Sequence, residues 1–329
     1  MVNIVALLEY IGYWFGLYLL VSAGLNIEVG YAGIPDFGKA MSYAVGMLAV
    51  YPLWNWALAY VQGNAVLSIL LLIAIIITSF IIGFAVGAVS IIPAVRLKED
   101  YLAMYLLGIA EITVWLLYLD VYTPLGSPLS GDIFAWAGPY EDSVSVIIVI
   151  IVALVVFYLL YRLANTPFGR VLKAMRENEL VVQTLGRNVM IYRIIAMGIG
   201  SGVAAIAGAL NALYLQEAAV GVMARLYWTF IPWLIILLGG LGSLIGTLVG
   251  TLIYVIIRGL IRVYGPLIQL PFPPNYLFLW VMFGIVIIII LLFRPEGILP
   301  ERPILTKPMK KLKERLKQKK RETHEEKKE

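Results

Sequence analysis

The 329-residue chain contains no cysteine and a single histidine. Without cysteine it can form no disulfide, no Cys-ligated zinc site and no thiol nucleophile. The one histidine, His324, lies in a strongly charged terminal stretch, so a Ser-His-Asp triad is excluded as well. The sequence also lacks a G-x-x-x-x-G-K-[ST] motif for holding the phosphates of ATP, and it has no His, Asp and Glu residues at metal-ligand spacing. We therefore expect neither an enzyme nor a chain that holds its own cofactor or metal.

Charged residues are also scarce: they make up 14% of the chain, against about 25% in a soluble globular protein. Hydrophobic residues reach 61%, and they form continuous runs of about 20 residues, the length of a membrane-spanning helix. The runs cover residues 4–27, 40–60, 66–95, 101–119, 144–161, 194–215, 228–238 with 247–261, and 276–293. They predict an all-α polytopic membrane protein with about eight transmembrane helices.

Two glycine-rich segments interrupt the apolar runs. Residues 28–39 carry three glycines, a proline and three charges, and residues 239–246 begin with Gly-Gly-Leu-Gly. We expect re-entrant or broken helices at these segments. Such helices are tolerated at membrane depth where they are buried in protein or line water, and paired breaks mark substrate paths in transporters. An exposed loop is the alternative for the first segment, and a chance likeness of two glycine-rich helices is the alternative for the pair. The candidates for a translocation path in and beside the breaks are Asn26, Gly33, Asp36, Gly240 and Gly242.

The distribution of positive charge predicts the orientation of the chain. Residues 96–98, the loop 162–193 with its six Lys and Arg, and the chain beyond residue 294 are basic, whereas residues 120–143 contain four acidic residues and no basic one. The predicted crossings place the basic segments on one side, which is then cytoplasmic, and leave the acidic loop and the N-terminus outside. We expect a transmembrane domain over residues 1–300 and a charged cytoplasmic tail over residues 301–329, disordered or helical. Its 12 Lys and Arg against 6 Asp and Glu suit anionic lipid rather than nucleic acid.

Glu111 is the most conspicuous charge inside an apolar run. Ionisable groups at membrane depth are costly and usually face protein or water. Glu111 is therefore a candidate for contacting a positively charged group of a solute, and a bond to a neighbouring helix is the alternative. Asp36 in the first glycine-rich segment is a second candidate for the same role.

The loop 162–193 is the only long polar insert between two apolar runs. Thr166 and Pro167 form a helix start signal, apolar residues then recur at helical spacing, and Gly186 can end a second short helix that begins at Glu179. An amphipathic surface helix resting on lipid would have a similar sequence. The mixed charges of residues 176–179 beside an exposed apolar face favour a protein partner.

Six groups of residues occur in the order and at the spacing of one known family. They are Leu25-Asn26 with Gly30-Tyr31-Ala32-Gly33, Asp100-Tyr101-Leu102-Ala103 with Gly108 and Glu111-Ile112, Thr166-Pro167-Phe168-Gly169-Arg170, Arg176-Glu177-Asn178-Glu179 with Gly186, Gly239-Gly240-Leu241-Gly242-Ser243, and Arg294-Pro295-Glu296-Gly297. Each group alone is a weak signal, but together they are specific. The chain resembles the M-type permease subunit of branched-chain amino acid ABC importers over nearly its whole length up to residue 300.

The resemblance implies a heteromeric importer in the cell membrane. This chain would pair with a second permease subunit, two cytoplasmic ATP-binding subunits and an extracellular solute-binding protein. ATP and Mg²⁺ would be bound by the ATP-binding subunits, and the permease would alternate access for a branched-chain or related amino acid. The resemblance also gives residues 179–186 a role as the segment that docks into the ATPases, with Arg176, Glu177, Glu179 and Gly186 as docking residues.

One segment departs from the family. Members commonly continue Gly-Tyr-Ala-Gly with Gln-Leu-Ser-Leu-Gly-His, whereas this chain has Ile34-Pro35-Asp36-Phe37-Gly38-Lys39. If that stretch touches the solute, the substrate need not be leucine, isoleucine or valine, because related importers of urea or short amides share the architecture. A self-sufficient secondary transporter or channel for a small polar solute is the other alternative, with Glu111 or Asp36 as its proton or sodium site.

Overall fold

The structure is a computed structural model that describes residues 4–61, 64–93, 97, 99–118, 133–217, 223–264, 284, 285, 288, 292 and 296–301. Residues 266–274, nearly all of the last predicted span, most of the acidic loop and the tail beyond Glu301 lie outside the described residues. Within the described part every regular element is a helix, which confirms the all-α prediction.

Ten α-helices are present among the described residues. They are α1 (Ile4–Asn26), α2 (Lys39–Val61), α3 (Ala65–Ile91), α4 (Glu99–Tyr118), α5 (Glu141–Ala164), α6 (Pro167–Glu177), α7 (Glu179–Thr184), α8 (Val189–Leu215), α9 (Ile231–Gly239) and α10 (Leu244–Tyr264). A π-helical turn, Ile27–Tyr31, follows α1, a second, Leu226–Phe230, precedes α9, and a 3-10 turn, Ala135–Tyr140, leads into α5.

Five stretches of helix in the described residues are long and apolar enough to cross a bilayer. They are Ile4–Tyr31, Ala65–Ile91, Ala135–Ala164, Val189–Leu215 and Leu244–Val263. α2 and α4, with 23 and 20 residues, also reach the length of about 30 Å that a crossing needs. The chain is therefore a multi-pass membrane protein.

α8 is the central helix of the bundle, and it packs on α1, α2 and α3 through small residues. A Cβ added to Gly24 of α1 would lie 2.7 Å from the carbonyl oxygen of Gly200, and one added to Gly87 of α3 would lie 2.8 Å from that of Met197. Residues without bulky side chains let helix backbones approach this closely. α1 and α3 therefore pack against α8 at the distance of backbone contact.

Glycine and proline inside two of the helices do not break them. α3 is one continuous helix, and its Gly83 and Gly87 face α8, where they make room for Ala205 and Ser201. α2 continues through Pro52 to its end.

Two helices begin earlier than predicted. α5 starts at Glu141 rather than residue 144, so its first turn carries the acidic side chains that favour a helix N-terminus. α8 starts at Val189 rather than residue 194, because the Asn188 side chain accepts a hydrogen bond from the Met190 N–H (3.1 Å) and caps the helix. The acidic first turn of α5 and the Asn188 cap of α8 extend these helices beyond the apolar runs that defined the predicted spans.

Contacts between helices define their directions. α1 and α5 begin at the same end of the bundle, where Ser143 donates a hydrogen bond to Glu9 (2.5 Å). α8 runs the opposite way, since Gly24 late in α1 packs on Gly200 early in α8. α6, α7 and the first glycine-rich segment therefore lie at the end opposite the start of α1. This relative arrangement is the one that the predicted crossings require.

Candidate functional site

The first glycine-rich segment breaks its helix inside the protein. After Asn26 the chain makes a π turn, closed by a hydrogen bond from the Ala32 N–H to the Ile27 carbonyl (3.1 Å). Residues 33–38 have no regular structure, and positions 34, 36 and 38 are buried. The exposed-loop alternative is therefore wrong, and the segment is a buried helix break. π turns of this kind are frequent at functional sites.

The second glycine-rich segment separates α9 from α10 and forms the tip of a helical hairpin. Gly240 and Gly242 have φ angles of +124° and +75°, which glycine adopts without steric cost. The last carbonyl groups of α9 would otherwise lack partners, and they accept the N–H groups of residues 298 and 299 (3.0 and 2.9 Å). The predicted break is confirmed, and α10 resumes at Leu244 rather than at residue 247.

Asn26 joins the two breaks. Its side-chain amide donates to the Ser243 carbonyl (3.1 Å) and to the Thr247 hydroxyl (2.7 Å), and its side-chain oxygen accepts from the Gly242 N–H (2.9 Å). The residue is fully buried, so these bonds are made away from water, where an unmade bond would be costly. Asn26 fastens the tip of the hairpin to the end of α1.

α6 lies against this region with its apolar face inward. Gly169, Leu172 and Met175 are buried. The expectation of an exposed apolar face on this helix is therefore wrong, because the bundle itself covers that face. Thr166 precedes Pro167 as predicted, but its hydroxyl donates to the Leu163 carbonyl (2.6 Å) instead of capping α6.

α7 carries the exposed apolar surface of the loop. Asn178 caps its start by accepting from the Val181 N–H (3.3 Å), and Gly186, with φ +75°, follows its end as predicted. Leu180 and Leu185 are 71% and 74% exposed. Exposed large apolar side chains grouped on one element are typical of a surface that binds a partner.

Arg176 connects α6 to both glycine-rich breaks. One guanidinium nitrogen donates to the Gly30 carbonyl, and another donates to the Glu301 carboxylate (2.7 Å). The same side chain fills the space beside Gly33 and Gly242, where an added Cβ would lie 2.9 and 3.0 Å from it. We call Gly30, Gly33, Arg176, Gly242 and Glu301 the loop junction. The sequence placed Arg176 and the two glycines in separate sites, and the structure brings them together.

Glu301 is the anchor of the terminal segment in the loop junction. Its carboxylate also binds the Lys173 ammonium (2.7 Å). Partial burial alone would raise the pKa of Glu301, but the hydrogen bonds and charges of Lys173 and Arg176 outweigh burial and hold the pKa below its ordinary value. Residues 296–301 thus tie α6 to the tip of the α9–α10 hairpin.

The other predicted docking residues lie beside the loop junction. Glu179 at the start of α7 forms an ion pair with Arg193 of α8. Glu177 is exposed at the end of α6. The sequence reasoning missed Asn178 as the cap of α7, although an Asn directly before an apolar run is a recognisable helix start.

The first break holds three buried charges, of which the sequence analysis proposes only Asp36 as a candidate. The Lys39 ammonium lies 2.5 Å from the Glu28 carboxylate and 3.2 Å from that of Asp36, and all three side chains are fully buried. Asp36 also accepts from the Gly38 N–H (2.7 Å) and, through its carbonyl, from the Trp233 indole (2.8 Å). Three charges between apolar runs were the signal that could have identified Glu28 and Lys39.

Glu111, the other candidate in a span, faces Arg225. Their charged groups lie 3.2 Å apart, with side chains 42% and 43% exposed. The structure therefore shows the pairing alternative at the surface of the described bundle. A contact between Glu111 and solute stays a prediction.

Comparison with known proteins agrees with these features. The family described as "Branched-chain amino acid transport system / permease component" matches residues 7–291. A probable branched-chain amino acid transport permease protein LivM of Methanocaldococcus jannaschii is 40% identical over 337 residues, which cover 93% of this chain and 96% of that protein.

Two bacterial relatives are more distant. The high-affinity branched-chain amino acid transport system permease proteins LivM of Escherichia coli and Salmonella typhimurium are 27% and 28% identical, over 90% of this chain and 70% of each relative. No solved structure matches the chain. The family match spans the helices, both breaks and the polar loop, and the chain belongs to the family of permease components of branched-chain amino acid transport systems.

Proposed function

We propose that this chain carries a branched-chain amino acid across the cell membrane as the permease subunit of an ABC importer, and that the loop junction transmits movements of the ATPase subunits to its broken helices. The observation that carries the coupling is the position of Arg176. It is a residue of the polar loop whose side chain bonds to one break at Gly30 and touches the other at Gly242. A displacement of α6 must therefore strain or move both breaks.

The partners in this proposal are a second permease subunit, an extracellular solute-binding protein and two cytoplasmic ATP-binding subunits that hold ATP and Mg²⁺. Family membership supports them, since the family is one of components of a larger transport system. The excess of positive charge in loop 162–193 and in the tail 301–329 supports their placement on the cytoplasmic side. The ATPases would then approach the end of the bundle that carries α6 and α7.

α7 is the segment that we propose inserts into the ATPase subunits. Its exposed leucines supply apolar area, and the buried face of α6 provides a rigid base that passes force to Arg176. The ion pair between Glu179 and Arg193 holds α7 against α8. Arg176, Glu177, Glu179 and Gly186 thus support and shape the docking surface, and the apolar contact falls to Leu180 and Leu185.

The proposed substrate is a branched-chain amino acid, as the names of the relatives suggest. The segment 34–39, which departs from the common family pattern, gives no reason to choose another solute. Its two unusual charges, Asp36 and Lys39, lie 3.2 Å apart and bind each other. The two charges that depart from the family pattern therefore belong to one buried ion network. Their presence does not require a different solute.

Docking is tested by purifying the importer complex with a tag on the ATPase subunits. The variant carries Leu180→Gln and Leu185→Gln. We expect the amount of co-purified permease to fall, because burying each leucine is worth about 1.5–3 kcal/mol and both contacts are lost together. Leu215→Gln is the matched control, since Leu215 is a partly exposed leucine at the opposite end of the bundle.

Full retention of the permease by the ATPases in the double variant would contradict docking through α7. Loss of co-purification in the Leu215→Gln control as well would show that the substitutions disturb the fold rather than the interface. ATP-independent, gradient-driven uptake of leucine by vesicles that contain this chain alone would favour the secondary transporter instead.

A further inference from the structure

Arg258 of α10 has no part in the proposed coupling, yet its side chain is held in a fixed place against α1. Its Nε donates to the Tyr10 hydroxyl (3.0 Å), and one of its terminal nitrogens donates to the Tyr18 hydroxyl (2.7 Å). The guanidinium carbon lies 3.7 Å from the ring centroid of Trp14. Attraction between a cation and an aromatic face adds to the two hydrogen bonds, so the orientation of Arg258 is defined.

Arg258 forms no ion pair with the residues that the structure describes. No Asp or Glu oxygen among them lies within 4.0 Å of its guanidinium, whereas six other ion pairs meet that distance. A guanidinium has five N–H donors, more than single bonds to the hydroxyl groups of Tyr10, Tyr18 and Tyr254 use. Arg258 also keeps partial exposure. A charged residue inside a membrane span is expected to serve a function.

A second arginine and two acidic residues lie further along this end of the bundle. Arg262, one turn further along α10, lies over the ring of Tyr10 at 4.0 Å from its centroid. Tyr214 is within electrostatic range of Arg262 and also of Glu9 and Asp142. This end of the bundle therefore offers positive, negative and aromatic groups in one region, which suits a zwitterion with an apolar side chain.

The location of the cluster fits the side from which a permease receives its solute. Tyr10 and Trp14 lie in the first half of α1 and Arg258 in the second half of α10, so the cluster lies in the half of the bundle towards the end opposite the loop junction. Under the proposed orientation that end faces outward. A permease that receives its solute from an extracellular binding protein must accept it there.

We propose that Arg258 binds the α-carboxylate of the transported amino acid, with the partly exposed rings of Tyr10 and Trp14 forming the adjacent wall and the buried Tyr18 holding the guanidinium from behind. This inference rests on the proposed function. A guanidinium presents parallel N–H groups that match the two oxygens of a carboxylate. A lipid phosphate has the same oxyanion chemistry, and the experiment distinguishes the two sources.

The test is ATP-driven uptake of radiolabelled leucine by vesicles that contain the complete importer. Arg258→Gln removes the charge and should lower uptake by at least about tenfold, a factor that corresponds to 1.4 kcal/mol, with ATP hydrolysis retained. Arg162→Gln is the matched control and should transport normally, because Arg162 is an exposed arginine that also bonds a tyrosine hydroxyl, that of Tyr158 (3.2 Å). If Arg258→Gln fails to assemble, Arg258→Lys keeps the charge without the paired N–H groups and should still lower uptake.

Each outcome separates the two proposals. Normal uptake by an assembled Arg258→Gln or Arg258→Lys importer overturns only the carboxylate site. Absence of ATP-driven leucine uptake by the wild-type importer overturns the proposed function, and with it this site. The measurements are repeated in vesicles of a phosphate-free galactolipid, without and with added phosphatidylglycerol as the anionic lipid. A defect that appears only with the anionic lipid assigns Arg258 to a lipid phosphate and overturns the inference, whereas a defect in both vesicles supports it.

Discussion

Glu28, Asp36 and Lys39 place three charged groups at full burial in the first helix break. Taking a charge out of water costs several kcal/mol even after relaxation. Lys39 offsets part of that cost for both carboxylates, since it lies within 3.2 Å of each. The break keeps its irregular backbone because these ion pairs, together with Asn26, hold it from within.

Replacing Lys39 tests this role. Lys39→Met keeps the length of the side chain but leaves two buried carboxylates without a cation, and breaking a buried pair in this way costs about 3–5 kcal/mol. We expect a clear fall in the midpoint of thermal denaturation of the purified permease in detergent. Lys173→Met makes the same chemical change at a partly exposed pair with Glu301 and should cost much less. Equal midpoints for the two variants would contradict the role of Lys39.

The individual residues of the site were only partly predictable from the sequence. Asn26, Gly33 and Gly242 stood out because they lie in or beside glycine-rich breaks, and Arg176 stood out by its place in the polar loop. Their meeting at one point depends on how distant helices pack, which a single sequence does not encode in any local pattern. Arg258 does not stand out in the sequence, because an arginine near the end of an apolar run is typical of a residue that anchors a helix at the membrane interface.

The apolar runs predicted the presence of the helices correctly and the positions of the helix ends less accurately. α5 and α8 begin in polar residues whose caps and helix-favouring charges extend them beyond the apolar run. α7 was predicted from its flanking Glu179 and Gly186, and its bounds nearly agree with the structure. The buried apolar face of α6 could not be foreseen, since an amphipathic helix has the same pattern whether it rests on lipid, a partner or its own bundle.

Close packing of α1 on α8 can be tested with a single methyl group. Gly24→Ala would place a Cβ 2.7 Å from the backbone carbonyl of Gly200, which cannot move aside without shifting a helix. Overpacking of this kind costs about 1–3 kcal/mol, so the variant should denature at a lower temperature.

Gly108→Ala is the matched control for that measurement. No atom lies within 4 Å of a Cβ added at Gly108, and alanine in a helix interior is more favourable than glycine by roughly 1 kcal/mol. We expect Gly108→Ala to leave the denaturation midpoint unchanged or slightly raised. A midpoint for Gly24→Ala equal to that of the control would show that α1 and α8 are not packed this closely.

For the whole molecule, the structure divides the described bundle into two ends with different chemistry. One end holds the loop junction, α7 and the segment 296–301, and the other holds Arg258 with its aromatic neighbours. Composition and periodicity were sufficient to predict a multi-pass helical protein. Resemblance to a family supplied its role in transport. The link between the polar loop and the breaks could be identified only in the packed structure, because it consists of contacts between residues far apart in the chain.

The most direct test of that link is the ratio of leucine transported to ATP hydrolysed by the reconstituted importer. Arg176→Gln removes the charged bonds to Gly30 and Glu301, and such bonds are worth about 1.5–3 kcal/mol each. We predict that uptake per ATP falls by roughly tenfold or more, while ATP hydrolysis continues and the ATPases stay bound. Arg170→Gln, at an exposed position on the same helix, should leave the ratio unchanged. An unchanged ratio in Arg176→Gln would contradict coupling through the loop junction.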